Sequence, residues 1–289
     1  MKPPGSFGIN TSKMNFKELT PWFKEVFTLV DSVCESFSVP LYLIGAQARH
    51  FHLAEQGIRP GRGTGDIDFA IMLPDMDIYG KILDALLHKG FRKVNEPYRI
   101  IYDLTNTVVD LLPFGEIEEQ GTVKFTDRKT EVSVVGLKEV LKDPSLLKLD
   151  EETIVQVTPL EGIIILKLIS FDEKPERTKD LDDIHDVLIH YFEINDNRFY
   201  DILPDIMGEF DEANFTLDAG SWLAGYDIGK LLAEHKTLKN HIEKILQREV
   251  SQKPGKIGRY FYNKSYFQDI NMIKHLFLLI LEGIQQSSK

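Results

Sequence analysis

Hydrophobic positions recur at helical spacing in NFKELTPWFKEVFTLVDSVCESF, where Leu19, Phe23, Val26, Phe27, Val30 and Val33 form one stripe. PLYLIGA predicts a short buried strand stopping at Gly45. QARHFHLAEQG predicts a helix closed by Gly57, and IRPGRGTG a loop rich in glycine and arginine. DIDFAIML predicts a second strand, ended by Pro74. DMDIYGKILDALLHKG predicts a helix with aspartate at its start, apolar Ile78, Ile82, Leu83 and Leu86, and Gly90 as its stop. YRIIYDL and TVVDLLPF predict a hairpin turning at Thr105 and Asn106, and VGLKEVLKDP a further helix. Beyond about residue 155 the segments PLEGIIILKLISF, KDLDDIHDVLIHYF, SWLAGYDIGKLLAEH, LKNHIEKILQREV and INMIKHLFLLILEGI are helical. The pattern predicts an α/β (α+β) chain with an N-terminal domain over residues 1–155 and a helical domain over 156–289.

Composition narrows the class. A 43% apolar share over 289 residues is that of a globular chain. No apolar run reaches the length of a membrane span or of a signal-peptide core, and the single cysteine, Cys34, excludes an internal disulfide and a cysteine-based zinc site. The expected setting is cytoplasmic, with no membrane partner. The net charge of −11 gives no general attraction to nucleic acid, so such a partner needs a local basic patch. Lys236 to Lys264 supplies one, with eight basic and two acidic residues interleaved with Tyr260, Phe261 and Tyr262. Asp172 to Glu212 has the opposite balance, fourteen acidic to four basic, which a solvated helix face accounts for.

The chemistry concentrates in RGTGDIDFAIML. Side chains alternate faces along a strand, so Asp66 and Asp68 point the same way. Burying two like charges costs several kcal/mol or forces a proton onto one of them. A divalent cation removes that cost, and Mg²⁺ is bound by one or two carboxylates with phosphate oxygens. Asp-x-Asp alone is common. DMD at 75–77 is a second instance, read as helix capping. A third carboxylate comes from Asp110 in TVVDLLPF, with Asp103, nearer the turn, as its competitor. Lys167 lies in a helix apolar nearly all round and must snorkel or meet an anion. Asp180 and Asp183, three apart, share a helix face. His185 and His190 lack metal-ligand spacing, and Trp22 and Trp222 are read as packing residues.

The succession LIGAQA, RGTGDIDFAI and VVDLLPFG resembles the nucleotidyltransferase superfamily with the DNA polymerase β-like fold. Lys167 in IIILKLISF, the KDLDD segment with Asp180 and Asp183, and AGSWLAGYDIGKLL are similar to the AbiEii-type toxin branch of type IV toxin–antitoxin systems. The resemblance spans roughly residues 41 to 232. It implies a nucleotidyltransferase-type mixed sheet with flanking helices, followed by a helical domain. It further implies an NTP substrate and a Mg²⁺ site of two ions, with Mn²⁺ as an alternative, held by Asp66, Asp68 and Asp110. Gly45, Ala46, Gln47, Arg62 and Lys167 would bind the nucleotide, with Arg59 a weaker candidate. Asp180 and Asp183 would orient Lys167 or Arg62 or take part in proton transfer, and Asp110 would be the base. The acceptor implied is RNA, a tRNA 3′ end, with a cognate antitoxin protein as partner. Ala46 departs from the serine or glycine usual there, and 21 positions separate Gly45 from Asp66, longer than the usual spacing. A small-molecule transferase acting on a cationic, aminoglycoside-type acceptor, and a non-catalytic nucleotide-binding protein, stand as alternatives.

Overall fold

The computed structural model describes residues 22–59, 63–126, 128–202, 210, 213–251 and 255–287. A seven-stranded mixed sheet holds the N-terminal half together. Its strands are β1 (Leu41–Ile44), β2 (Asp66–Leu73), β3 (Phe91–Lys93), β4 (Arg99–Tyr102), β5 (Thr107–Gly115), β8 (Ser145–Lys148) and β9 (Ile154–Val157), in the order β3-β4-β5-β2-β1-β9-β8. β2 runs parallel to β5 and antiparallel to β1, and β1 runs parallel to β9. A separate hairpin is made by β6 (Thr122–Phe125) and β7 (Thr130–Ser133).

Alternation along β2 explains how the sheet is covered. Phe69, fully buried, meets Phe23 and Phe27 of helix α1 (Phe23–Ser36), and Phe23 meets Phe51 of α2 (Gly45–Glu55). Asp66 and Asp68 therefore fall on the opposite face. Asp75 caps α3 (Met76–Leu87) by accepting from the Ile78 amide at 2.9 Å, so the DMD segment is a capping site. The helix expected in VGLKEVLKDP is a single turn, α4 (Leu137–Val140), bounded by Gly136 at φ 88° and by the strand that starts at Ser145. Leu19 of the expected first stripe lies outside the described residues. Trp22, taken as packing, is 53% exposed: it sits just before α1, and Phe23 occupies the core position instead. The short strands β3, β8 and β9 and the β6–β7 hairpin carry too few alternating positions to be legible alone. β9 pairs with β1 up to Val157, so the sheet continues two residues past the expected boundary at 155.

The helical half comprises α5 (Leu160–Glu173), α6 (Lys179–Ile202), α7 (Phe215–Leu231), α8 (Lys236–Val250), α9 (Lys256–Asn263) and α10 (Ile270–Gln286). No described helix is long and apolar enough to cross a membrane. The α7–α10 crossing is tight because each helix contributes a glycine. A Cβ on Gly225 would lie 2.1 Å from the Ile280 carbonyl oxygen, and one on Gly283 2.2 Å from that of Trp222. Trp222 itself is buried as expected.

Among the described residues, part of the acidic stretch is not a solvated face. Asp180 and Asp183 are buried, and Asp172, Asp182 and Asp186 meet partners from other elements. Asp186 accepts from Arg49 of α2, Asp182 from the hydroxyls of Tyr260 and Tyr266, and Asp172 from Arg248 of α8. Counter-charges and hydroxyls brought by four other segments make burial affordable. His185 stacks on Tyr266 with ring centroids 3.9 Å apart, consistent with a structural histidine.

Gly283→Ala forces two backbones apart, a strain of about 1–3 kcal/mol. Its thermal midpoint should fall by several degrees while far-UV circular dichroism at low temperature stays unchanged.

Candidate active site

β1 delivers the chain to Gly45, which turns it into α2 at φ 68°, a conformation that favours glycine. A second constraint acts there: a Cβ on Gly45 would sit 2.3 Å from Oδ2 of Asp68. The helix thus starts directly against the carboxylate, and the opening amides of α2 at Gly45, Ala46 and Gln47 have no partner within the helix. The Gln47 side chain is buried, with its carbonyl oxygen unbonded.

The parallel pairing of β2 with β5 sets Asp68 in register with Asp110, and Asp66 with Val108. Asp110 is 8% exposed and belongs to the carboxylate cluster. Asp103 does not: it lies beyond the far end of β4, over half exposed, with its Oδ1 2.8 Å from Nε of Arg92. Asp68 is pushed up to about 6 by burial first and by the charge of Asp110 second, with Lys167 opposing. Both oxygens of Asp110 are held by Arg99, Nε at 2.6 Å and Nη2 at 2.8 Å.

α5 carries Lys167 toward the same place. Its ammonium donates to Asp180 at 2.7 Å and lies 2.8 Å from Asp183, both on α6. Burial pulls Lys167 down, but the two carboxylates outweigh it and hold its pKa above the ordinary lysine value. The buried lysine therefore meets an anion from within the chain rather than snorkelling, and two of its three N–H donors are used. Asp183 is shared with the fully buried Arg49, Nη1 at 2.8 Å, so this ion cluster ties α2 to α6 as well.

A cavity of about 400 Å³ lies between the sheet, the β7 strand and α5. Gly45, Asp68, Asp110, Lys167 and Asp180 line it, whereas Asp66, Ala46, Gln47 and Asp183 lie outside its lining. Arg62 and its neighbours at 60–61 are outside the described residues, and Arg59 is exposed on the same loop. Arg99, Tyr98 and Arg177 are the residues that sequence reasoning missed. Arg177 lines the cavity and donates from Nε to Asp180 at 2.8 Å. Its signal was its place three residues before Asp180. That of Arg99 was the hairpin register, which sets it opposite Asp110.

The acids fit the metal that the resemblance implies in chemistry, since they are hard oxygen donors and Asp68 bears a charge cost that a cation would relieve. Among the described residues, however, no three His, Cys, Asp or Glu side chains are arranged to hold a metal ion. The expected third ligand, Asp110, is committed to Arg99.

The basic run is only partly available to a partner. His241 and Arg248 both contact Asp172, at 3.3 and 2.6 Å, and with Lys244 they line a shallow depression. Asp172 adjoins Glu173, which lines the main cavity. The aromatic part of the expected footprint is corrected. Phe261 is core, Tyr260 is half-buried and bonded to Asp182, and Tyr262 alone of the three is exposed. Lys253 lies outside the described residues.

No family model matches the chain, and no curated protein matches it. Among solved structures it is similar to the crystal structure of ANT(2″)-Ia in complex with adenylyl-2″-tobramycin. That likeness has 15% identity and a TM-score of 0.39 over 56% of this chain and 86% of the other. It is also similar to the solution structure of the antibiotic-resistance factor ANT(2″)-Ia, at 14% identity and a TM-score of 0.36 over 80% of this chain and 100% of the other. Likeness at this level assigns neither activity nor substrate to this chain.

The raised Asp68 carboxyl gives a signed pH dependence. Its folded-state pKa of about 6 exceeds the ordinary 3.8, so folding is penalised wherever the unfolded chain has lost this proton. With chelator present, Asp68→Asn should be more stable than the wild type by about 3 kcal/mol at pH 8. The gain should shrink as the pH falls through 6 and nearly vanish below 4, as read by urea unfolding across that range.

Proposed function

We propose that this chain is a nucleotidyltransferase, moving an NMP from an NTP to an acceptor hydroxyl. The observation that carries the proposal is the in-register placement of Asp68 beside Asp110, against the glycine that opens α2, with Lys167 on the same cavity. The amides at Gly45, Ala46 and Gln47 bind phosphate oxygens at the helix N-terminus, which supplies N–H donors and a favourable dipole without needing the serine that Ala46 replaces. Lys167 and Arg177 add positive charge along the same wall, and Arg62 is a further phosphate ligand. Asp180 and Asp183 keep Lys167 charged and in place.

Asp66 and Asp68, with Asp110 once it is free of Arg99, would hold Mg²⁺, or Mn²⁺ in its stead. When bound, that metal neutralises phosphate charge and polarises the α-phosphate. Asp110 takes the proton from the acceptor hydroxyl as its oxygen bonds to the α-phosphorus and pyrophosphate leaves. The remaining contribution is positioning in a site walled by apolar side chains.

Two acceptor classes have support. An RNA 3′ end, as in the toxin-branch resemblance with its antitoxin partner, is favoured by the basic face of α8 beside the cavity rim. A small cationic acceptor is favoured by Glu131 and Glu173, which line the cavity itself. The second is at least as well supported, because Asp172 already neutralises part of the basic face and Phe261 is unavailable for stacking.

Incubating the protein with Mg²⁺ and each α-labelled NTP, against total tRNA and separately against aminoglycosides, tests the proposal and separates the acceptors. Label should pass to one of them. Asp66→Ala and Asp68→Ala should each reduce transfer by about 10³-fold or more while leaving the melting curve cooperative. Full activity in both variants would remove the site assignment, and nucleotide binding without transfer would move the chain to the non-catalytic class.

A further inference from the structure

The fork between Arg99 and Asp110 bears on how the site is loaded, and the inference rests on the nucleotidyltransferase proposal. Arg99 is directly opposite Asp110 across the antiparallel β4–β5 pair. Its Nε and Nη2 reach the two oxygens separately, at 2.6 and 2.8 Å. A planar guanidinium meeting a planar carboxylate in this way uses the lone pairs that a divalent cation would need. Asp110 is nearly buried, so water competes little for those oxygens. The Arg99 side chain is 32% exposed, which leaves it room to swing away.

Strand register alone brings Asp68 and Asp110 together. Arg99 occupies both oxygens of Asp110. Lys167 and Arg177 do not substitute for it, because their hydrogen bonds go to Asp180 and, for Lys167, to Asp183 as well.

We propose that Arg99 is the resident counter-ion of Asp110 and gates cation entry, holding Asp110 until a divalent cation displaces it. The third carboxylate is then delivered only when cation, arriving with nucleotide phosphates, outcompetes the fork. Asp110 is then never left uncompensated beside Asp68, and the affinity of the site for free cation is kept low.

Mn²⁺ binding to the full-length protein without nucleotide, followed by the electron paramagnetic resonance signal of the free ion, tests this. Arg99→Gln should bind Mn²⁺ about tenfold more tightly than the wild type, since one cationic competitor has been removed. Arg99→Lys should fall between the two, because an ammonium cannot span both oxygens. Asp68→Asn should lose the site. Circular dichroism melts establish which variants are folded, and should Arg99→Gln not fold, Arg99→Lys against the wild type carries the comparison. Equal or weaker Mn²⁺ binding in the folded Arg99 variants, with binding still lost in Asp68→Asn, overturns the gate and leaves the metal site standing. Binding undiminished in Asp68→Asn, or absent throughout, overturns the metal site and the gate with it.

Discussion

Two carboxylates forced side by side on parallel strands organise this molecule. Asp68 and Asp110 are in register on β2 and β5, in the middle of an otherwise apolar sheet, and neither can retreat without shifting a whole strand. Like charges in such a place demand compensation. Arg99 provides it from the outer side, across the β4–β5 pair. Lys167 provides it from the helical side, where its charge opposes the upward shift of Asp68.

That second source explains why the helical half is bound so closely to the sheet. Lys167 is itself held by Asp180 and Asp183, and Asp183 by the buried Arg49, which stands on the helix that starts at Gly45. A closed path of charge therefore runs from the first strand–helix junction through α6 and α5 and back to the cavity. The helices past residue 160 complete the site as well as packing beside it. A close backbone approach at Gly45 and a desolvated carboxylate at Asp68 meet here, and the raised Asp68 carboxyl is kept at the expense of stability.

The cavity lining carries charge of both signs. Lys167 and Arg177 put positive charge near the aspartates, suited to phosphates, whereas Glu131 and Glu173 put carboxylates elsewhere on the lining. On α8, His241 and Arg248 meet Asp172, the sequence neighbour of Glu173. On the proposed function, acceptor preference would depend on how far an acceptor reaches past this lining, a matter of shape as much as charge.

Local pattern was enough for much of this. The alternation in DIDFAIML put Asp66 and Asp68 on one face, TVVDLLPF paired with YRIIYDL, Asp75 capped its helix, and the long helical stripes after residue 155 formed. The lone lysine in an apolar helix had either to snorkel or to meet an anion. Each of these depends on neighbours within one or two turns or along one strand, where period and capping chemistry act. Tertiary structure decided the rest, because the deciding partners are distant in the chain. It placed Asp110 rather than Asp103 beside Asp68, and gave Lys167 its partners Asp180 and Asp183. It turned part of the acidic stretch inward, took Phe261 into the core, and set Arg99 on Asp110. Composition records how many charges a segment carries. Only the packing of strands and helices decides which of them meet, and burial makes those meetings strong.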